Sequence, residues 1–383
     1  MSHKLISSGV HFMDGDRACA EAALLAGCRF FAGYPITPAS EIAEHLSERL
    51  PEVGGVFVQM EDEIASIMAV IGAAYTGAKA MTATSGPGFS LMAESVGLAA
   101  MTEAPCVIVD VMRGGPSTGQ PTMASQGDVL QAKHSSHGDY EIVALAPSFV
   151  QECFDLTIEA FNISQRYRVP VMLLMDAILA HLMERVVVPD HEEIVLESVK
   201  RPEVSKAEYK PFKADESLVP PMAFFGEGYR FAVTGLTHDE NGYPRISPEQ
   251  HERLVRRLCD KVRKNADKIW EYEVRDVEDA EVLLLAYGSM ARAAYDALER
   301  LRLMGFKVGM FRPVTLWPFP KGPLVEVARH VEKIVVLEMN LGQIYHVVKE
   351  VCPQNEVLLY SKVGGVLPSP RELVSFLEGV LRE

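Results

Sequence analysis

Polar, charged and small residues follow four apolar segments in the first part of the chain. They are Gly33-Tyr34-Pro35-Ile36-Thr37-Pro38-Ala39-Ser40, Glu61-Asp62-Glu63, Thr84-Ser85-Gly86-Pro87-Gly88 and Arg113-Gly114-Gly115-Pro116-Ser117-Thr118-Gly119-Gln120-Pro121-Thr122. A carboxyl group at an apolar helix start can share a proton, and a guanidinium can hold a carboxylate through two hydrogen bonds. Ligands of open parallel sheets bind beyond the carboxyl ends of the strands. We therefore expect these four loops to build one binding site.

Each of the four sequences also has a purely structural explanation. The alternatives are helix-start charges at residues 61–63, a helix cap at Thr37, a tight turn at Gly86 and Gly88, and a surface ion pair at Arg113. Taken one at a time, these alternatives are about as good as a functional interpretation. The position of all four sequences on successive loops of one predicted sheet edge favours a joint site.

Other common sites are not supported by the sequence. The chain contains neither GxGxxG after a strand nor GxxxxGK[ST], which are the fingerprints of nucleotide phosphate binding. Ala83, two residues before Ser85, occupies the position where a nucleophile elbow requires glycine. His134 and His137 could begin a metal site, but histidines in a loop are more often solvated, so we predict no metal bound by this chain.

Composition narrows the class of protein further. The chain has 383 residues, of which 48% are apolar, and a formal net charge of −15, which disfavours a nucleic-acid binder. Residues 1–8 lack the apolar core of a signal peptide, and the richest apolar stretch, residues 64–75, is too short to cross a bilayer. The six cysteines are scattered without a CxxC pair, which is typical of reduced thiols. We expect a cytoplasmic protein that binds neither membrane nor nucleic acid.

The alternation of apolar strands and amphipathic helices predicts an α/β fold with a doubly wound parallel sheet. We expect three parts: a first α/β domain over 1–190, a proline-punctuated connecting segment with a long helix over 191–275, and a smaller α/β domain over 276–383. The periodicity predicts helices over residues 62–75, 89–101, 126–133 and 248–272 among others.

The four loop sequences together resemble those of the alpha subunits of 2-oxoacid:ferredoxin oxidoreductases. The run from Arg113 to Thr122 is most similar to the 2-oxoglutarate branch of that family. The resemblance extends to Val233-Thr234-Gly235 and to Leu337-Glu338-Met339-Asn340-Leu341-Gly342-Gln343, so it covers nearly the whole chain. It implies a subunit that oxidatively decarboxylates 2-oxoglutarate with coenzyme A to succinyl-CoA and reduces ferredoxin, in a reversible reaction that can also fix carbon dioxide.

The resemblance also implies the cofactors and partners. The first domain would be the pyrimidine-type thiamine-diphosphate domain, and the last would resemble the transketolase C-terminal domain. The resemblance implies that thiamine diphosphate is shared with a beta subunit, and the absence of a Gly-Asp-Gly sequence for the metal of the diphosphate half agrees with this. Mg²⁺ and a [4Fe-4S] cluster are therefore expected in partner subunits, which can include gamma and delta subunits. The chain would be active only with its beta subunit.

Matching the family's motifs assigns roles to individual residues. Glu63 would be catalytic, sharing a proton with the aminopyrimidine ring, with Glu61 as the second choice. Thr37 and Arg113 would bind the carboxylate of the 2-oxoacid, and no residue can be chosen for a distal carboxylate. The cofactor-binding residues would be Glu63, Tyr34, Pro35, Ile36, Ser85 and Gly86.

Three alternatives remain open at this point. The substrate could be a branched-chain 2-oxoacid, indolepyruvate or pyruvate, since the motifs identify the family better than the substrate. The chain could be a non-catalytic scaffold subunit, although the presence of Glu63, Thr37 and Arg113 argues against it. A dinucleotide-dependent dehydrogenase is disfavoured by the missing glycine fingerprint.

Overall fold

The computed structural model describes residues 5–382, so the prediction for residues 1–8 lies partly outside the described residues. The elements up to residue 188 are β1 (Gly9–Met13), α1 (Gly15–Leu25), β2 (Cys28–Gly33), α2 (Ser40–Glu52), β3 (Val56–Gln59), α3 (Glu63–Tyr75), β4 (Lys79–Thr84), α4 (Gly86–Leu91), α5 (Ala93–Thr102), β5 (Cys106–Gly114), β6 (Gln120–Ala124), α6 (Val129–Lys133), β7 (Val143–Leu145), α7 (Val150–Tyr167), β8 (Pro170–Asp176), α8 (Ala177–His181) and β9 (Glu184–Val188).

The remaining elements begin at residue 248. They are α9 (Pro248–Arg263), α10 (Ala266–Ile269), β10 (Tyr272–Arg275), β11 (Val282–Ala286), α11 (Gly288–Leu303), β12 (Val308–Pro313), β13 (Thr315–Trp317), α12 (Lys321–Ala328), β14 (Lys333–Glu338), α13 (Gln343–Val351), β15 (Glu356–Ser361) and α14 (Pro370–Arg382).

The larger sheet has the strand order β13-β7-β8-β5-β4-β2-β3, with β6 paired to β5. All pairs from β7 to β3 are parallel, as the apolar strands predict. The chain leaves β2 for β3 on one side and then returns to place β4 on the other side. The carboxyl ends of β2 and β4 therefore meet at a topological switch point, the place where α/β sheets bind their ligands.

Helices cover both faces of this sheet and bury its strands. One apolar core joins α1, α2 and α7 to a face that includes Val107, Val109 and Val111 of β5. The other core joins α3, α4 and α5 to the opposite face, where Ile108 and Met112 lie. Because successive strand residues point to opposite faces, a strand buried on both sides must be apolar throughout. From Cys106 to Met112, β5 satisfies this requirement except at one carboxylate, Asp110.

The second sheet has the order β10-β12-β11-β14-β15, with four parallel strands and antiparallel β10 at one edge. This is a smaller doubly wound sheet, as the sequence predicts. The short strand β13 belongs to the same part of the chain but pairs antiparallel with β7 of the larger sheet. The two α/β units are thus joined by backbone hydrogen bonds as well as by side-chain packing.

Among the described residues, the segment between β9 and α9 contains no helix and no strand of more than one residue. It is nevertheless ordered by a buried charge cluster. Glu103, in a left-handed backbone conformation after α5, pairs with Arg257 at 2.6 Å and Lys261 at 2.7 Å, both on α9. Arg168 donates to the carbonyl oxygens of three prolines in this segment, Pro211, Pro220 and Pro221. These contacts hold the connecting segment against the first unit.

Several predicted boundaries were wrong. The helix predicted over residues 248–272 ends at Arg263, and the chain then makes a short helix and the edge strand β10. The helix predicted over 89–101 starts three residues earlier and is divided at Met92, and the one predicted over 126–133 starts at Val129. In these places backbone pairing and caps, which periodicity does not report, decide where elements begin and end. None of the helices in the described part of the chain is sufficiently long and apolar to cross a membrane.

Candidate functional site

The four predicted loops meet at the carboxyl edge of the larger sheet. The loop after β2 carries Tyr34, Pro35, Ile36 and Thr37, which are exposed or half-buried at the surface of this edge. Thr37 is not the cap of α2, because Ala39 occupies the cap position and no side chain caps that helix. The structural alternative for Thr37 is therefore excluded.

The three acids before α3 have different environments. Asp62 is the N-cap, and its carboxylate accepts a hydrogen bond from the Ala65 amide at 2.8 Å. Glu61 is exposed, whereas Glu63 is only 4% exposed. Burial raises the pKa of Glu63, and the neighbouring Asp62 carboxylate adds to the rise, while Arg113 opposes it. Glu63 is thus a carboxyl group in a place that favours its protonated form.

The loop after β4 lies against this carboxyl group. Ser85 is the N-cap of α4, and Gly86 and Gly88 form the first turn of that short helix. A Cβ at Gly88 would lie 2.3 Å from Oε1 of Glu63 and 2.2 Å from Oγ1 of Thr84. Glycine at this position is therefore required by close approach, which the tight-turn alternative does not explain.

Arg113, at the end of β5, is 6% exposed, so it is not a surface ion-pair residue. Its Nη1 donates to the carbonyl oxygen of Thr37 at 2.6 Å, and its Nη2 donates to that of Thr118 at 3.1 Å. Nε has no hydrogen-bond partner in the described structure. These carbonyl oxygens accept some of the hydrogen bonds that the guanidinium can donate, but they carry no full negative charge. Among the described residues, the positive charge of Arg113 therefore has no carboxylate in a salt bridge with it, which suits an incoming anion.

Unpartnered buried polar atoms are concentrated at this edge of the sheet. Buried polar groups almost always have hydrogen-bond partners, so exceptions call for an explanation such as a missing ligand. Within residues 5–382, more than half of the side-chain atoms without a partner belong to Thr82, Thr84, Ser85, Asp110, Arg113 and Asp128, and the others belong to Asp16, Glu41, Ser148, His238 and Trp270. The first group lies on β4, on β5, in the loop after β4 or in the loop between β6 and α6. The pattern indicates a site that is completed by bound molecules.

A cavity of about 780 Å³ opens beside these groups, between the two α/β units. The first unit contributes Gly86, Arg113 and Asp128, and the second contributes Asn340 from the turn before α13 and His346 from α13 itself. The cavity volume is within the ordinary range for small-molecule sites.

The second unit is fixed to the first by hydrogen bonds around Gln126. The Gln126 side chain donates to the Tyr287 carbonyl oxygen at 2.8 Å and accepts from the Met339 amide at 3.0 Å. Asn340 donates to the Gln126 carbonyl oxygen at 2.7 Å. Glu338, in turn, accepts from the Asn340 side chain at 2.8 Å. The sequence from Leu337 to Gln343 therefore acts by positioning the loop that carries Asp128.

Reasoning from sequence missed Asp110, Asp128 and Gln126. A usable signal existed for Asp110, since it is the only charged residue within the apolar run from Cys106 to Met112. For Asp128 and Gln126 the sequence offered no signal, because their contacts come from residues more than 150 positions away or from packing around β5.

Comparison with known proteins identifies relatives over almost the whole chain. Residues 21–257 match the family model described as pyruvate flavodoxin/ferredoxin oxidoreductase, thiamine diphosphate-binding, and residues 280–373 match that of pyruvate:ferredoxin oxidoreductase core domain II. The 2-oxoglutarate synthase subunit KorA of Methanocaldococcus jannaschii is 55% identical over 95% of this chain and 98% of its own length. The ketoisovalerate oxidoreductase subunit VorB of Methanothermobacter thermautotrophicus is 37% identical over 96% of each chain.

A solved structure agrees with these relationships. The 2-oxoglutarate:ferredoxin oxidoreductase from Magnetococcus marinus, with 2-oxoglutarate, coenzyme A and succinyl-CoA bound, superposes with a TM-score of 0.92 at 36% identity. The match covers 98% of this chain and 66% of the solved chain. With two family models matched in chain order and a relative more than half identical, the chain belongs to the pyruvate flavodoxin/ferredoxin oxidoreductase family, whose matching domain binds thiamine diphosphate.

Proposed function

We propose that the chain is the alpha subunit of a 2-oxoglutarate:ferredoxin oxidoreductase. The complex would convert 2-oxoglutarate and coenzyme A to succinyl-CoA and carbon dioxide while it reduces ferredoxin, and it could run in reverse. The observation that carries the proposal is the buried Glu63 carboxyl group beside Gly88 at the switch point, with the Arg113 guanidinium, whose hydrogen bonds go to carbonyl oxygens, in the same site. The level of identity to a 2-oxoglutarate synthase subunit supports this choice of substrate.

The residues at the switch point fit the aminopyrimidine half of thiamine diphosphate. The unpartnered hydroxyl of Ser85 and the half-buried Gly86 offer polar contact and close approach to a flat ring, and a raised-pKa carboxyl group is suited to hydrogen-bond a ring nitrogen. When bound, the cofactor supplies a carbon nucleophile for the 2-oxo group. Tyr34, Pro35 and Ile36 would border the same ring from the loop after β2.

In this proposal Glu63 holds the proton that the pyrimidine ring shares, and its burial keeps water away from that proton. Arg113 binds the carboxylate of the 2-oxoacid, using the nitrogens that its carbonyl partners do not saturate. Thr37 has an exposed side chain next to Arg113 and would donate a hydrogen bond to the same carboxylate or to the reacting oxygen. The neutral form of Glu63 limits repulsion of the anionic substrate.

We further propose that a beta subunit holds the diphosphate, Mg²⁺ and a [4Fe-4S] cluster. The six cysteines of this chain are all buried and free, which suits a reducing cytoplasm and argues against a cluster in the chain itself. Further gamma and delta subunits and ferredoxin would complete the assembly. The proposed domain limits are 1–190, 191–275 and 276–383.

The test is reconstitution of the chain with its beta subunit, followed by reduction of a viologen dye with a panel of 2-oxoacids and coenzyme A. We expect the highest kcat/KM with 2-oxoglutarate. A preference for a branched-chain 2-oxoacid or pyruvate would correct the substrate and keep the reaction. Absence of dye reduction with every 2-oxoacid, despite bound thiamine diphosphate, would favour a scaffold subunit and overturn the proposal.

A further inference from the structure

Two carboxyl groups that have no part in the function proposed above lie together, and one of them, Asp128, lines the same cavity as Arg113. Asp110 is fully buried in the middle of β5, and Asp128, in the loop before α6, lines the cavity. Their side chains are within hydrogen-bonding reach of each other. Asp128 also lies against the small-residue loop, since a Cβ at Gly86 would be 3.8 Å from its Oδ2. We call Asp110 and Asp128 the acid pair.

The acid pair lacks the donors that two ionised carboxylates would require. No described donor reaches either oxygen of Asp110 or Oδ2 of Asp128. Arg113 is the cation whose charge reaches Asp128, but its terminal nitrogens donate to the carbonyl oxygens of Thr37 and Thr118. Since an ionised carboxylate cannot donate, a hydrogen bond between the two groups requires that one of them keep its proton.

Burial raises the pKa of both members of the acid pair. Burial raises the pKa of Asp110, and the adjacent Asp128 adds to the rise; burial also raises the pKa of Asp128, although Asp110 and Arg113 oppose it. Two carboxylates that share a site cannot both ionise without a large cost, so the pair retains a proton to higher pH than a free carboxyl group does. One proton satisfies the hydrogen bond and removes one buried charge.

We propose that Asp110 and Asp128 hold a single proton between them and that this proton sets the affinity of Arg113 for the carboxylate of the 2-oxoacid. The inference rests on the proposed function. With the proton in place the acid pair carries one negative charge, and without it two. The second charge changes the sum over the acid pair and the Arg113 guanidinium from neutral to negative and repels a dianionic substrate, so loss of the proton raises KM and leaves kcat nearly unchanged.

The surroundings of the acid pair define the controls. Arg113 is the charged neighbour on the same strand, and Glu63 lies beyond it, within reach of its charge. Across the cavity, α13 contributes His346. Among the described residues that line the cavity, His346 is the only histidine and Asp128 is the only carboxylate. A pH effect on KM must therefore be separated from the titration of His346 and from that of Glu63.

The kinetic test compares the reconstituted wild-type complex with the Asp110→Asn complex between pH 6 and pH 9 (about the usable range). The asparagine can still donate to Asp128 and fixes the pair at one negative charge. In the wild type we expect KM for 2-oxoglutarate to rise with pH, by up to about tenfold per unit for one released proton. In Asp110→Asn this rise should vanish, and in His346→Gln it should persist. Parallel pH profiles of KM in wild type and Asp110→Asn would overturn the proposal.

A second measurement does not depend on catalysis. Infrared difference spectra of the full chain at neutral pH should show the C=O band of a protonated carboxyl group that both Asp110→Asn and Asp128→Asn remove. Glu63→Gln, which removes another buried carboxyl group of the site whose pKa is raised, identifies the contribution of that residue. If the acid-pair variants fold and leave the band intact, the shared proton does not exist. If the band is lost as expected but no 2-oxoacid is turned over, the proposed function has failed and the shared proton has not.

Discussion

The carboxyl group of Glu63 lies directly against the Cα of Gly88, so that a methyl group added to this glycine would stand 2.3 Å from Oε1. The two residues begin different helices, α3 and α4, that follow different strands of the larger sheet. Their contact brings the starts of α3 and α4 together and helps to bury the carboxyl group. A buried carboxyl group without an opposite charge in contact is costly to keep, which is typical of a functional position.

Replacing Gly88 with alanine should therefore displace Glu63. The new methyl group would meet Glu63 and the Thr84 hydroxyl, both closer than any normal contact. We expect the Gly88→Ala chain to fold. The reconstituted complex should lose at least about tenfold in kcat, since a small displacement of a catalytic group lowers the rate strongly. The control is Gly72→Ala in α3, which has open space at its Cβ and should retain activity. Equal activity of the two variants would contradict the assigned contact.

Removing the acid of Glu63 should slow turnover without unfolding the chain. Glutamine keeps the shape but cannot exchange a proton, so Glu63→Gln should lower kcat by about 10²- to 10⁴-fold. Glu61→Gln, two residues earlier and exposed, should leave kcat within about twofold, since its carboxylate is solvated. Steady-state dye reduction measures both. Loss of activity in Glu61→Gln instead would transfer the catalytic role to that residue.

Arg113→Lys should weaken substrate binding selectively. A lysine cannot hold the Thr37 carbonyl oxygen and a carboxylate at once in the planar geometry of a guanidinium. We expect KM for 2-oxoglutarate to rise by about 10- to 100-fold, in line with one charge-assisted hydrogen bond, with thiamine diphosphate affinity little changed. Arg17→Lys, at an exposed ion pair on α1, is the matched control. Calorimetric titration of the cofactor distinguishes lost substrate contact from a collapsed site.

Glu103→Gln should lower the free energy of unfolding by about 3–5 kcal/mol, because it leaves the half-buried Arg257 and the buried Lys261 without their counter-charge. Glu252→Gln, at the exposed pair with Arg256 on the same helix, should cost less than about 1 kcal/mol. Urea unfolding of the full chain measures both. A cost for Glu103→Gln that matches the Glu252 control would show that the cluster contributes little.

The same cluster predicts how stability depends on acid. Although burial opposes ionisation, Arg257 and Lys261 hold the pKa of Glu103 below its usual value. A depressed folded-state pKa contributes stability that is fully present above the unfolded value, roughly 4.3, and is lost as pH falls toward the folded value. Between about pH 4 and pH 2, wild type should lose more stability than Glu103→Gln. Urea unfolding curves at several pH values measure this difference. If wild type and Glu103→Gln lost equal free energy of unfolding as the pH falls, the prediction would be wrong.

The fold class and most elements of the two sheets could be predicted from the sequence, because buried parallel strands must be apolar throughout and the helices between them amphipathic. Glu63 could be singled out because it begins an almost apolar helix, and Arg113 because it follows a buried strand. The pairing of strand β13 with the larger sheet could not be predicted. A strand of three residues is too short to show a hydrophobic period, and its partner lies in β7, about 170 positions away.

What the sequence by itself determined is therefore local: which segments are strands, which loops carry polar chemistry, and, through resemblance, which family the chain belongs to. Tertiary structure alone decided which of those loops touch. It separated buried Glu63 from exposed Glu61, brought the Arg113 guanidinium to the Thr37 carbonyl oxygen, and placed Asp110 beside Asp128. Proton affinity and charge balance depend on distance and dehydration in three dimensions, and neither quantity is encoded in the spacing of residues along a chain.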